Sequence, residues 1–323
     1  MKQDNFKTQY LRWSFYAGFA LLGYLFVFTV NAATVPKNIS YPTGEPNADE
    51  IAQQVFFVNR FYAFANASLE DHPRGVAEVI NIEPGKKPTT LTIERHINNS
   101  YQDGEIRSRE LAIFRSGKLK GVAILMTDYV DVSKNPTYAF WLPALRRIRR
   151  IEENDYDKSW GGTVFTLGEI SMRKPGDETH ERLGVTTFNA CLETIKLPAG
   201  SRAKNHQPIC NHKGKSVYRL KSKKISVGGW YDYRISYVDT ETFADYRTEY
   251  FKGDKKIKVI DRDWRSTALK DKRALQWHHL YGKDLLTGRE TFISVPEVAL
   301  VYDTHKLPSF WSESTLKKLK LVK

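Results

Sequence analysis

The chain has 323 residues, a formal net charge of +13 and only two cysteines. This length allows one large domain or two small ones, and the positive charge favours anionic partners. The sequence contains no glycine-rich phosphate loop, no G-x-S-x-G elbow and no H-E-x-x-H helix, which excludes the commonest catalytic motifs. We therefore expect a protein that is not an enzyme and that needs no cofactor and no metal.

Residues 1–32 have the pattern of a signal peptide. Basic residues precede an apolar run over 14–30, and small residues lead to a cleavage point after Ala32. The run is 17 residues long, near the lower limit for a membrane span, so an uncleaved anchor is the alternative. Export of this kind predicts the periplasm of a Gram-negative bacterium, where the anionic partners are lipid headgroups and not nucleic acid.

A proline-rich stretch over 33–46 predicts an extended leader before the first helix. Asn47 is a favoured N-cap residue, and Glu50 stands where it completes a capping box. An apolar stripe then recurs at helical spacing, at Ile51, Val55, Val58 and Tyr62. The pattern predicts a helix that starts at Asn47 and packs this stripe against another surface.

After that helix the hydrophobic period changes from 3.6 to 2, which is typical of antiparallel strands with one buried face. The predicted strands are 74–83, 91–97, 105–115, 120–127, 136–142, 216–226, 231–237, 243–251, 255–263, 272–281 and 288–295, with short helices near 167–172 and 313–320. We therefore expect one mainly β domain of the α+β class over 47–323. A sheet of this size must curl or close. With few helices to fill it, its interior is either an apolar ligand cavity or a packing of aromatic side chains.

Cys191 and Cys210 form an even pair in a chain expected to be exported, which predicts a disulfide. The alternative is a zinc site, because His212 follows Cys210 closely. The spacing matches no paired C-x-x-C motif, so the disulfide is favoured.

Two pairs of polar residues in the later predicted strands have the residue types of a metal site or an acid–base site. His278 and His279 are adjacent, so on a regular strand they point to opposite faces and do not share a metal. Asp261 and Asp263 share a strand face and have the chemistry of an acid–base pair. A solvated carboxylate pair is the commoner arrangement, and we expect it here.

Four arginines stand within five positions beside an aromatic residue, in the segment 140–151. They are Arg146, Arg147, Arg149 and Arg150, and the aromatic residue is Trp141. On a strand Arg147 and Arg149 face one way and Arg146 and Arg150 the other, so at most two can meet one anionic group. One interpretation is a binding site for lipid headgroups or a partner protein. The other is that one pair is solvated while the second pairs with the nearby acids Glu152, Glu153, Asp155 and Asp157.

The order of several segments resembles the outer membrane lipoprotein-sorting protein-like group, relatives of the periplasmic carriers LolA and LolB. These segments are the opening helix at Asp49-Glu50-Ile51, Gly121-Val122-Ala123-Ile124-Leu125, Trp141-Leu142-Pro143-Ala144-Leu145 with the arginine run to Ile151, and Gly161-Gly162-Thr163-Val164-Phe165. The resemblance implies an incomplete antiparallel β-barrel capped by helices, with a hydrophobic cavity for acyl chains. It also implies partners in the envelope, either an inner-membrane lipid exporter of the RND type or an outer-membrane acceptor.

Together these features predict a periplasmic carrier or accessory protein that binds lipid or lipoprotein acyl chains in a concave sheet, with Trp141 and the arginines at its rim. The alternative is a non-catalytic module that docks on an envelope transporter through its basic surface. The lysine-rich end, 312–323, is either a membrane-docking segment or a solvated tail.

Overall fold

A computed structural model describes residues 38–131, 133–152, 157–171, 173–203, 208–226 and 228–318. The predicted signal peptide, its cleavage point at Ala32 and the first part of the leader lie outside these residues, as do the last five residues of the chain. In the described part, no helix combines the length and the apolar character that crossing a membrane requires.

The described residues form three helices and fifteen strands. The helices are α1 (Ala48–Asn59), α2 (Leu167–Ile170) and α3 (Glu313–Lys318). The strands are β1 (Asn66–Leu69), β2 (Ala77–Ile82), β3 (Thr89–Asn98), β4 (Ile106–Phe114), β5 (Ala123–Tyr129), β6 (Thr137–Leu142), β7 (Arg147–Glu152), β8 (Glu178–Thr187), β9 (Ser216–Lys224), β10 (Tyr233–Asp239), β11 (Asp245–Lys252), β12 (Lys255–Ser266), β13 (Leu275–Asp284), β14 (Glu290–Ser294) and β15 (Leu300–Tyr302). The predicted mainly β class with few helices is confirmed.

All the strands belong to one antiparallel sheet that does not close into a barrel. Its order is β7-β6-β5-β4-β3-β2-β14-β13-β12-β11-β10-β9-β8, and in the described part of the chain the end strands β7 and β8 do not pair with each other. Strand β3 is long enough to pair with β2 through Ile93 and with β1 from Arg95 onward. The short strand β15 then pairs with β1, so β1 and β15 extend the sheet at one end.

Helix α1 starts where the sequence predicts. Asn47 accepts a hydrogen bond from the Glu50 amide at 2.9 Å, and its own amide donates to the Glu50 carboxylate at 2.8 Å. The buried stripe of α1 packs in one core with sheet residues such as Ile93, Phe114 and Trp264. The face of the sheet that carries these residues is called the inner face here.

The middle of the inner face is filled, so of the two interiors expected from the sequence it is the packed one and not an open apolar cavity. The segment 157–171 crosses it, and the Phe165 ring is buried in the same core. Buried ion pairs occupy further space. The pairs are Arg262–Asp245 at 2.8 Å, Arg234–Glu178 at 2.6 Å and Lys258–Glu169 at 2.5 Å. Fixed charges of this kind exclude a long hydrocarbon chain, because separating or desolvating them costs several kcal/mol, on the order of 3–5.

The opposite, outer face is covered by a segment that we call the strap, residues 189–203 and 208–214. The predicted disulfide between Cys191 and Cys210 is present within it. The strap is held by buried carboxylates of the sheet: Asp261 accepts from the Glu193 amide at 2.8 Å, and Glu78 accepts from two amides of 202–203 at 2.9 and 3.0 Å. Asp261 and Asp263 are therefore buried under the strap and not solvated as expected.

The C-terminal segment packs on the outer face of β4, β5 and β6. Trp311 and Leu316 are fully buried against Leu111, Ile113 and Leu125, and the Trp311 indole donates to the His96 carbonyl at 2.9 Å. Up to Lys318 this segment is therefore not a free tail, and the rest of the lysine-rich end lies outside the described residues.

Candidate functional site

An apolar recess lies at the end of the inner face where β1 and β15 extend the sheet. Its volume is about 40 Å³. Ser68 and Arg95 are the polar residues in its wall. The apolar residues are Phe61, Ala67, Leu69, Ile97, Trp277, Val295, Leu300 and Tyr302.

The turn after α1 brings an aromatic ring to this recess. Phe61 has a φ of 56°, a left-handed conformation that is rare for a bulky residue. Its amide donates to the Val58 carbonyl at 3.0 Å, and its ring meets the Trp277 ring edge-on at 5.2 Å. The strained backbone therefore holds one wall of the recess against the sheet.

Arg95 borders the recess with a charge that is already paired. Its guanidinium donates to both oxygens of Glu110, at 2.6 and 2.9 Å, and lies 5.0 Å from the centre of the Trp277 ring. Burial by itself would raise the pKa of Glu110, but the charge of Arg95 and its hydrogen bonds outweigh burial and lower this pKa. The pair is therefore ionised at neutral pH and forms a polar border to an apolar site.

The arginine segment lies elsewhere and is divided between two faces. Trp141 and Arg150 are on the outer face, where Arg150 pairs with Glu313 of α3 at 2.5 Å and Trp141 packs beside the Trp311 cluster. Arg147 and Arg149 are exposed on the inner face of the edge strand β7. Arg146 is in the turn before β7 with a φ of 48°.

The five residues predicted at a rim are thus not brought to the recess. Strand β7 is four strands from β3 in the sheet order, which is about 19 Å at the usual strand spacing. Among the described side chains, Arg150 pairs with Glu313. Of the four nearby acids, Glu153 and Asp155 lie outside the described residues, and Asp157 pairs with Arg173 and Lys224. Among the described residues, Arg146, Arg147 and Arg149 make no ion pair.

The recess residues were not identified from sequence because their signal is weak. Strands β1 and β15 have four and three residues, too few for a period of 2 to be recognised. Phe61 and Trp277 stand out only as aromatic residues. Their proximity depends on the turn after α1.

A cluster of histidines surrounds Asp263 beneath the strap, which corrects the expectation for His278 and His279. His212 Nε2 lies 2.8 Å from one carboxylate oxygen, and His278 Nδ1 lies 2.9 Å from the other. His279 Nδ1 lies 3.7 Å from that second oxygen. Burial alone would raise the pKa of Asp263, but the contacts with His212 and His278 outweigh it and hold this pKa well below its usual range.

Comparisons with known proteins identify a matching family model and solved structures with a similar fold. A family model described as "-like: Uncharacterized protein" matches residues 107–318, whereas a search of curated proteins found no significant match. A Vibrio parahaemolyticus domain described as an outer membrane lipoprotein-sorting protein has a TM-score of 0.62 at 16% identity, over 84% of this chain and 98% of that one. A DUF1329 family protein from Desulfovibrio piger has a TM-score of 0.62 at 14% identity, over 84% and 100%.

A LolA superfamily protein from Nitrosomonas europaea has a TM-score of 0.52 at 12% identity, again over 84% of this chain and 100% of that one. At these identities the likeness concerns the fold. The open antiparallel sheet with helices on its faces, expected from the resemblance of short segments, is confirmed. The chain therefore belongs to the family of the model that matches residues 107–318, and it has a LolA-like fold.

Proposed function

We propose that this protein is a non-catalytic carrier or accessory protein of the Gram-negative periplasm that binds the end of a lipid or lipoprotein acyl chain. The observation that carries this proposal is the recess, with its apolar walls at the open end of a LolA-like sheet. The disulfide supports an oxidising compartment. The structural similarity to the Vibrio parahaemolyticus domain described as lipoprotein-sorting supports the same class of cargo.

The size of the recess sets the kind of binding that is proposed. A volume of about 40 Å³ accepts the end of one chain and not its whole length. Burial supplies about 0.8 kcal/mol per methylene, so a longer chain binds tightly only if more apolar wall becomes available. The pairing of β1 with β15 involves only three residue pairs. Separating these two strands therefore costs less free energy than separating the longer strand pairs at this end of the sheet.

Replacing Ala67 with leucine is expected to fill the recess and to weaken binding of a fluorescent fatty acid by about tenfold or more. The larger side chain would occupy the space of the chain end, and forcing both into the recess would cost about 1–3 kcal/mol. The control is Ala139→Leu, at a strand position on the outer face with the same 7% exposure. Binding is measured by fluorescence titration, and unfolding of both variants is measured in urea. Equal affinities for the two variants would reject the recess as the site.

The cargo is identified by mass spectrometry of organic extracts from protein purified from the periplasm without detergent. We expect a selective lipid, at one equivalent or less, from the wild type and from Ala139→Leu, and a reduced amount from Ala67→Leu. A well-folded wild type that yields no more lipid than an exported control protein of similar charge would contradict the carrier function.

The second candidate is a docking module that binds an acidic envelope partner, either an exporter of the RND type or an outer-membrane acceptor. The observation in its favour is the pair Arg147 and Arg149, exposed on an edge strand, together with the filled interior. An edge strand offers unpaired backbone groups to a partner.

Replacing both Arg147 and Arg149 with glutamate is expected to weaken binding to anionic phosphatidylglycerol vesicles or to a partner by about tenfold, since opposite charge then faces the anionic surface. The matched control is Lys87→Glu with Lys118→Glu, which makes the same charge change at exposed positions away from β7. Vesicle sedimentation at two salt concentrations provides the measurement. If both double variants lose the same affinity, the effect is one of net charge and the β7 site is rejected.

A further inference from the structure

We propose that Asp263, His278 and His279 form a binding site for a late first-row divalent cation of the Zn²⁺ class, with His212 of the strap in contact with the other oxygen of the Asp263 carboxylate. This site is separate from the acyl-chain recess, because it lies on the outer face of the sheet. A positive or a negative result for metal binding therefore does not test the proposed carrier function.

A β-bulge makes the site possible. In the pairing of β12 with β13, Asp263 is opposite His279 and Trp264 is opposite Trp277, so His278 has no residue directly across from it. A bulge turns the extra side chain away from strict alternation. His278 and His279 therefore both approach the same carboxylate, although neighbours on a regular strand diverge.

The distances between donor atoms fit a metal with a small rearrangement. One donor atom from each of Asp263, His278 and His279 lies within 4.8 Å of the others. Metal–nitrogen bonds of about 2.0–2.1 Å in a tetrahedral site place donors about 3.3 Å apart. The separations from the second oxygen of Asp263, 2.9 Å to His278 and 3.7 Å to His279, lie on either side of that value.

The donor chemistry indicates the class of ion. Imidazole nitrogens with one carboxylate favour Zn²⁺, Fe²⁺, Ni²⁺ or Cu²⁺ over Ca²⁺ and Mg²⁺, which prefer oxygen donors. Asp263 and His279 are fully buried, whereas the His278 side chain is 31% exposed. The exposed side of His278 gives an ion a route from solvent, and the buried partners give it a dry site.

The main competitor for this site is Arg265. Its guanidinium nitrogens lie 2.9 and 3.0 Å from the same oxygen of Asp263, where they supply the positive charge that a metal would bring. The Arg265 side chain is 37% exposed, so it can move into solvent when an ion binds. Metal and Arg265 therefore compete for one carboxylate oxygen.

His212 gives the ion a second role. It lies in the strap, two residues after Cys210 of the disulfide, and its Nε2 is 2.8 Å from the first oxygen of Asp263. An ion bound to the second oxygen of Asp263 would hold this carboxylate in place for its contact with His212, and so would link the strap to the sheet through Asp263. Metal binding is therefore expected to protect the strap from proteolysis.

The test uses the full mature chain without a polyhistidine tag, with Co²⁺ as a spectroscopic probe and ZnCl₂ in calorimetry. We expect one equivalent of Co²⁺ with the visible absorption of a tetrahedral site, displaced by Zn²⁺. His278→Gln should weaken binding by at least about tenfold, and Arg265→Gln should strengthen it because the competing charge is gone. The control His72→Gln, on another part of the surface, should bind as the wild type does.

His279 is fully buried, so His279→Gln is informative only if its urea unfolding matches the wild type. The pair His278→Gln and Arg265→Gln, both at partly exposed positions, keeps the test independent of folding. The proposal is overturned if the wild type binds no stoichiometric Co²⁺. It is also overturned if His278→Gln and His72→Gln bind alike, or if Arg265→Gln does not bind more tightly; the cluster is then only a charge network around Asp263.

Discussion

Replacing Arg262 with methionine is expected to lower the free energy of unfolding by about 3–5 kcal/mol, because it leaves the buried carboxylate of Asp245 without its cationic partner. Both residues are buried on the inner face, and the Arg262 guanidinium donates to Asp245 at 2.8 Å. The other oxygen of Asp245 accepts from the Asn59 amide group at 3.0 Å. The pair thus also ties the end of α1 to the sheet.

The control for this prediction is the double variant Arg262→Met with Asp245→Asn. It removes both charges, and its amide oxygen can still accept from Asn59, so most of the lost stability should return. Urea unfolding of the three proteins gives the measurement. If the single variant loses less than about 1 kcal/mol, water reaches this part of the interior, and the conclusion that the middle of the sheet is closed to a hydrocarbon chain is wrong.

Replacing both Cys191 and Cys210 with serine is expected to lower the free energy of unfolding by about 3 kcal/mol, since the bridge closes a loop of intermediate length. The two cysteines are 19 residues apart. Most of the strap lies within the loop they close, so the local effect should exceed the global one. We expect limited proteolysis to cut the variant first within the strap, at a rate well above that of the wild type.

The wild type treated with reductant is the control, and it should behave like the double serine variant. Native mass spectrometry of the proteolysis products locates the first cut. The contrary result is a first cut outside the strap, or a reduced wild type and a double serine variant that resist proteolysis as well as the untreated wild type does. Either result would show that the hydrogen bonds to Glu78 and Asp261 hold the strap without the disulfide.

These two predictions bear on function because they separate the two faces of the sheet. The inner face has apolar space at the β1–β15 end and buried ion pairs in the middle. On the outer face the strap and the C-terminal segment pack against parts of the sheet. A cargo chain is therefore expected to enter from the end of the sheet and not across the whole concavity.

Elements with strong local signals were determined by the sequence alone. The capping box at Asn47 and Glu50 and the apolar stripe after it are contacts within one helical turn or two, so they predict α1 without knowledge of the fold. Strand β10 alternates between two environments along most of its length. The two cysteines, with no third to choose from, allowed only one intramolecular disulfide.

Features that join distant parts of the chain were decided only by the tertiary structure. Strand β8 exposes much of its length and lacks a clear alternation, and β1 and β15 are too short to show one, so neither the sheet edge nor the recess could be predicted. The pairing of Arg150 with Glu313 spans 163 residues, and no local pattern encodes such a contact. Strict alternation predicts that His278 and His279 point to opposite faces, whereas a bulge in the pairing of β12 with β13 brings both to one carboxylate. Periodicity describes how a strand faces its surroundings, but register, bulges and the path of the strap depend on which strands meet.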